Sequence, residues 1–399
     1  MIKDIVWKLL WAAVPFITCA MTGLAFAQQL DSIFPDNMAP GFMISDLVPE
    51  RPPIGVAYGG VSLVPAIKLN SGYDSSPSGS AASALGGIAP NVTLRDDALG
   101  LGAYGSLGYT IYPENSASNV TSYSLGVGDT ARLPRETFVI AGGVFGGQQN
   151  AFTPGAVSGL RRISYSLQSL RVSDDVDAAL FRLRPEISLN ATRLAGFAPQ
   201  DHDDQRIRLT GFYHRDSPVT YVLRADLSQS EFHNAALNAD TGQILAGLQD
   251  APNGLWTIQL LTGIAQRRPN QGGAIIVPVM ELRLALKPSG LDVLRAIFTH
   301  EIDNPDDVTA TPDILTEGQL TMTHDFSRDL SASVSGEAAL AHFIASPNQE
   351  SVFTTKVDLR WQMNARLATD LVYNFNDRQA NFAPAANEHV MTAGVTWTP

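Results

Sequence analysis

Cysteine is almost missing from this 399-residue chain: Cys19 is the only one. One thiol cannot build a disulfide framework or a Cys-ligated zinc or iron–sulfur site, and an acidic chain with its single thiol so near the N-terminus is a poor candidate for thiol catalysis. Basic charge is also scarce, with 27 Lys and Arg against 39 Asp and Glu for a net charge of −12, which removes the electrostatic footprint of a nucleic-acid binder. After the first 27 residues no apolar run approaches the roughly 18–20 residues of a membrane-crossing helix, the densest stretch being Ala274 to Met280. Helical periodicity is nearly absent. There is no G-x-S-x-G, no H-E-x-x-H, no phosphate-binding loop and no dinucleotide fingerprint, so the sequence offers neither a catalytic set nor a cofactor site. His214, His300, His324 and His342 are spread over separate segments and read as solvated single histidines.

What is present begins with an address. Lys3 and Lys8 precede a mostly apolar stretch from Leu9 to Leu24, and Ala25-Phe26-Ala27 before Gln28 has the small-x-small form of a signal-peptidase site. Cleavage after Ala27 is expected, and Pro15 and Thr18 argue against a retained anchor. Residues 28–59 alternate little and carry Pro35, Pro40, Pro49, Pro52 and Pro53, which suits either an extended periplasmic segment or a plug.

From about Gly60 to the end, apolar residues alternate with polar or small ones. Val61, Leu63, Ile67, Leu69 and Tyr73 are interleaved with Ser62, Ala66, Lys68, Asn70 and Asp74. Phe353, Thr355, Val357, Leu359 and Trp361 are interleaved with Thr354, Lys356, Asp358 and Arg360, a polar face too charged for a soluble sandwich core. The pattern predicts about eighteen strands, with sixteen as the alternative count, joined alternately by tight turns, one of them at Ser173 to Val176, and by long loops rich in Gly, Asn, Asp, Pro and Ser. Residues 60–399 then give about 19 residues per strand and connection, enough for a spanning strand of roughly 9–11 residues plus its loop. A sheet in a bilayer must close on itself, so the expected fold is an all-β, antiparallel, up-and-down transmembrane barrel in the bacterial outer membrane. Pro65, Pro185 and Pro278 fall inside expected strands, where each removes a ladder donor.

Aromatic residues fall into two bands, as at the two membrane interfaces. Tyr213, Tyr221, Trp256, Phe326, Trp361 and Trp397 lie at turn-side strand ends, and Tyr73, Tyr109, Tyr123, Phe298, Phe343, Phe353, Tyr373 and Phe375 lie near the loop side.

The charged face of the expected strands 177–193, 204–214 and 218–230 carries Arg182, Arg184, Glu186, Arg206, Arg208, Arg224 and Asp226. With a tight turn at Arg215 to Ser217, Arg208 would stand opposite Arg224 and Arg206 opposite Asp226. Such a wall, with Arg283 and Arg360 further along, suits selection of an acidic solute or anionic polysaccharide; the alternative is that the charges pair with Glu186, Asp226 or Glu281 and merely solvate the lumen. Asp201 to Asp204 and Asp303 to Asp307 are acidic loop clusters without EF-hand spacing, read as solvated loops, though a divalent cation bridging lipopolysaccharide would suit them.

Arg51-Pro52-Pro53-Ile54-Gly55-Val56, then Ser62-Leu63-Val64-Pro65 and Gly72-Tyr73-Asp74-Ser75, resemble the opening of the β-barrel porin 2 family of outer-membrane proteins. That resemblance implies a porin-like conduit associated with exopolysaccharide export, with a periplasmic polysaccharide-export protein as partner. The ending Thr392-Ala393-Gly394-Val395-Thr396-Trp397 is similar to the signal read by barrel assembly machinery, although Pro399 replaces the usual last aromatic. General diffusion of small solutes is the alternative function, and an outer-membrane enzyme or a closed structural barrel the different-class readings.

Overall fold

The computed structural model describes residues 56–58, 60–75, 82–96, 100–149, 163–196, 198–214, 219–250, 255–303, 312–344 and 346–399. The expected signal peptide, Cys19, and the 28–59 segment except Val56–Tyr58 lie outside the described residues.

Eighteen long strands follow one another as an antiparallel meander, each bonded to its sequence neighbours, from β2 (Val61–Asp74) through β3 (Ser83–Asp96), β4 (Leu101–Ile111), β5 (Val120–Leu133) and β6 (Glu136–Gln149). The first half continues with β7 (Ile163–Ala178), β8 (Phe181–Leu194), β9 (His202–His214) and β10 (Val219–Phe232). The second half is β11 (Ala239–Asp250), β12 (Trp256–Pro269), β13 (Ile275–Leu286), β14 (Asp292–Asp303), β15 (Asp313–Asp325), β16 (Leu330–Phe343), β17 (Gln349–Asn364), β18 (Leu367–Ala380) and β19 (Ala386–Trp397). The last strand pairs with β2, from Val390 opposite Asp74 to Trp397 opposite Ile67, so the sheet closes and its interior edges disappear. A short extra strand, β1 (Val56–Tyr58), pairs with Val61 to Leu63 of β2, covering part of the edge that remains where β19 runs out.

Alternation decides which way each side chain points. Leu69, Leu125, Leu223, Ile264 and Ile276 are among the apolar residues exposed on the outer face. The intervening residues turn inward. The turn-side aromatic band is present, with Phe181, Tyr221, Phe326, Trp361 and Trp397 exposed and Tyr213 lying 5.0 Å from Phe181 and 6.3 Å from Tyr221 between ring centroids. Phe343 does not belong to the loop-side band. It points inward, buried, and packs edge-on against Phe382 of the β18–β19 loop at 5.5 Å, with Leu315, Ala339 and Ala341.

Two local expectations require correction. The turn expected at Ser173 to Val176 is strand, and the chain reverses instead at Ala179-Leu180, where Ala179 takes φ 50°. This places Asp175 on the inner face beside Arg182 and Arg184, whose guanidinium groups hold it there. The β9–β10 register is also displaced by two residues: Arg208 faces Asp226, Arg206 faces Ser228, and Arg224 faces Thr210. Pairing starts at His214 and Thr220. A two-residue displacement keeps every side chain on its face and changes only its partner.

The prolines explain the gaps in the sheet. Pro65 lies in the stretch of β2 between its pairing with β1 and its pairing with β19. Pro185 lies beside the break in β7–β8 pairing at Asp174 and Asp175, and Pro90 beside the break in β3–β4 pairing at Ala89 and Pro90. Pro278 lies beyond Met280, where the β13–β14 ladder ends. In each place the missing donor coincides with an absent ladder partner on one side.

Candidate functional site: a charged inner wall

The inner faces of β7 to β13 carry three groups of ion-paired side chains. Asp226 accepts two bonds from Arg208, 2.8 Å from Nε and 3.2 Å from Nη2, and one from Gln243 at 2.5 Å, while Arg224 Nε lies 3.6 Å away. Arg224 reaches past β11 and β12 to Glu281 on β13 at 2.7 Å, and Arg283 lies 3.0 Å from the other oxygen of Glu281. On the neighbouring strands Asp175 receives forked bonds from Arg182 (2.8 and 3.0 Å) and from Arg184 (2.9 and 2.5 Å), and Arg171 donates to Glu186 at 2.5 Å. The guanidinium groups of Arg182 and Arg184 also stand over the ring of Phe212, 5.2 and 5.8 Å from its centroid.

This wall is densely packed. Arg208, Arg224, Asp226, Glu281 and Arg283 are all buried, and Leu245 and Leu261 beside them are 2% and 1% exposed. Phe212, Val222, Ala265 and Val279 complete an apolar cluster on the same inner face. Gly247 and Gly263 let β11 and β12 approach there: a Cβ on Gly263 would lie 1.8 Å from the carbonyl oxygen of Ile244, and one on Gly247 would lie 1.8 Å from that of Leu260. The interior therefore has different sides. Across β4 to β6 it carries hydroxyl, glycine and aromatic residues instead, with Ser106 hydrogen-bonded to Ser124 at 2.7 Å, Phe145 opposite Ser124, and Gly126 between Tyr104 and Gly143.

The structure thus brings Arg182, Arg184, Arg208, Arg224, Asp226 and Arg283 together, but as paired charges. Two arginines facing each other across β9–β10 do not occur. Arg206 differs: it is exposed on the inner side of β9, and no ion pair engages it among the described residues. Arg360 stands apart on β17, opposite Asp370, which also accepts from Lys68 of β2 at 2.8 Å. Sequence reasoning missed Asp175 because it placed that residue in a turn, and missed Gln243 because a neutral amide gives no charge signal.

The Lys68–Asp370 pair bridges the closing seam over Gly394, at which a Cβ would lie 2.7 Å from Asp370 Oδ1 and 2.9 Å from Lys68 Cε. Gly394→Val is expected to push the pair apart and lower the urea midpoint for unfolding. The shift is read from heat-modifiable gel migration, and an unchanged midpoint would remove the seam role.

Acidic side chains elsewhere follow two patterns. Glu301, Glu317 and Glu337 face inward on β14, β15 and β16. At the loop side, Asp204 accepts from Ser230 at 2.5 Å and lies 3.3 Å from buried His202, Asp203 pairs with Arg193 at 2.6 Å, and Asp201 accepts from the Leu194 amide at 2.8 Å. These carboxylates are committed to protein partners, and among the described residues no group of metal-ligating side chains converges. The cluster from Asp303 to Asp307 lies outside the described residues beyond Asp303.

No family model and no curated protein matches the chain. Among solved structures it is similar to Pseudomonas aeruginosa OccK2 (OpdF) in complex with glucuronate, at 11% identity and TM-score 0.46, covering 85% of this chain and 98% of that one. It is also similar to the outer membrane protein OpdK of Pseudomonas aeruginosa, at 13% identity and TM-score 0.45 over 85% and 99% of the two chains. A third similar structure is a BenF-like porin from Pseudomonas fluorescens Pf-5, at 10% identity and TM-score 0.47 over 85% and 99%.

Proposed function

We propose that this chain is an outer-membrane channel passing small hydrophilic solutes, and that it acts by passage rather than by catalysis. The observation that carries this reading is a closed barrel of eighteen long strands with an apolar outer face and a charged inner one. The inward charges left exposed beyond the buried wall, Arg206, Lys356 and Arg360 among them, suit an aqueous interior, and a barrel of this size has room for one. Small-solute passage is preferred to exopolysaccharide export because packed side chains fill one side of the interior and its buried arginines are already held by carboxylates of the same wall. A long anionic polymer would need free cationic groups along its path.

Of the arginines expected to select solutes, Arg206 is exposed on the inner side beside the buried wall, and Arg360 is exposed across the barrel on β17. Single-channel recording of the refolded mature protein in planar bilayers is expected to show steady openings whose anion preference falls in Arg206→Ala. Arg208→Ala should move selectivity the same way but further, because it also leaves Asp226 without its two-point partner. Absence of conductance in every form would reject the channel. Conductance with selectivity unchanged in both variants would reject the inner wall as its determinant.

A further inference from the structure

The wall of the barrel is split on its loop-side half. The β13–β14 ladder runs only from Leu286 opposite Leu294 to Met280 opposite His300, although β13 begins at Ile275 and β14 continues to Asp303. In unbroken pairing Val279 would face Glu301 and Pro278 would face Ile302, but β13 pairs there only with β12, and β14 only with β15. The outer face at this place holds a cavity of about 520 Å³ lined by Thr262, Ile264, Pro278, Met280, Phe298 and His300. By alternation all six belong to the outward set, and Ile264 and Ile276 beside them are 62% and 65% exposed. Gly263 and Val279 also contribute to the lining, so the groove reaches the layer from which the inner apolar cluster projects.

Two requirements meet here. An apolar groove facing a bilayer takes hydrocarbon, whereas a strand edge without its ladder needs polar partners, since lipid tails supply none. One kind of molecule meets both: an amphiphile with an apolar chain and oxygen atoms at its head. The position of the split fixes the orientation. It opens toward the loop-side strand ends, where His300, bonded to Thr316 Oγ1 at 2.8 Å through Nδ1, stands in the rim.

We propose that the β13–β14 split binds an acyl chain of an outer-leaflet lipid, with ester or phosphate oxygens of that lipid taking hydrogen bonds from the open edge of β13 between Ile275 and Val279. The site rests on the membrane reading above. It would make one lipid an integral part of the wall, closing in the membrane what the ladder leaves open.

The test uses the mature full-length chain, delipidated in detergent, with lipid A, an outer-leaflet lipid carrying acyl chains, esters and phosphates, as probe and native mass spectrometry as readout. Wild type is expected to retain one lipid. Thr262→Trp, which fills the groove from outside, should weaken retention about tenfold, as expected when several methylenes lose their burial. Met280→Trp fills the same groove and replaces it should Thr262→Trp fail to give the heat-modifiable band of a folded barrel. Leu223→Trp, at an exposed outer position on β10, should retain lipid as wild type does. Amide exchange between Ile275 and Val279 should slow when lipid is added to wild type alone. No retained lipid in wild type, equal retention in the filled variant, or exchange unaffected by lipid would each overturn the site. Flotation of the same preparation with liposomes separates this from failure of the membrane reading, in which the barrel would not float at all.

Discussion

Replacement of Asp226 by alanine is expected to destabilise the barrel by about 3–5 kcal/mol and to turn the channel toward anions. Asp226 is 3% exposed and is the carboxylate shared by Arg208, Arg224 and Gln243. Its removal leaves two buried guanidinium groups on β9 and β10, of which Arg224 still has Glu281 at 2.7 Å and Arg208 loses both of its bonds. Breaking a buried pair costs more than the pair contributes, because an uncompensated charge stays in a poorly solvated place. Asp226→Asn should fall between wild type and alanine, since its amide oxygen still accepts a bond. Urea unfolding followed by gel migration gives the stability change, and reversal potentials in a salt gradient give selectivity. Wild-type values in both measurements for Asp226→Ala would show that the network neither holds the wall together nor faces the permeation path.

Gly263→Ala is expected to abolish the folded barrel. The added methyl would occupy the position of the Ile244 carbonyl, at 1.8 Å, and would lie 2.8 Å from Leu245 Cα. Backbone of the adjoining strand cannot turn aside as a flexible side chain could, so β11 and β12 would have to separate beneath the Arg224–Glu281 bridge. The expected loss exceeds about 4 kcal/mol, the range reserved for severe local conflicts. Gly336→Ala is the matched control, because a Cβ there meets nothing within 4 Å. Refolding into detergent and comparing heated with unheated migration checks both. A normal folded band for Gly263→Ala would mean that the two strands need not approach so closely.

Much of this architecture is legible in the sequence because a strand in a bilayer obeys a strict rule. One face meets hydrocarbon and the other water, so β2 shows Leu63, Ile67, Leu69 and Tyr73 against Lys68, Asn70 and Asp74 without reference to any other strand. Strand number and closure follow from counting such segments. Turn positions were less legible where polar residues occur at strand ends: Ser173 to Val176 resembles a turn in composition but is held in β7 by what Asp175 contacts on β8. Phe343 was misassigned for a related reason. An aromatic ring near a strand end suits an interfacial band or an inward contact equally well, and only Phe382, from a loop well beyond it in the chain, decides between them.

The same division holds for the inner wall. The sequence by itself determined the up-and-down meander of about eighteen strands with sixteen left open, the inward direction of Arg182, Arg184, Arg206, Arg208, Arg224 and Asp226, and the positions of prolines that would weaken the ladder. Parity along one strand suffices for all of these, since it is a local property of an extended backbone. Tertiary structure alone decided which charges meet. Register sets the partner across each pair of strands, and a two-residue change in one turn exchanged facing arginines for the Arg208–Asp226 pair without turning a single side chain to the other face. It also decided that Arg224 reaches Glu281 over two intervening strands, that Arg206 stays exposed, and that the β13–β14 ladder stops at Met280 beside Pro278, because these depend on distances between strands that no single segment encodes.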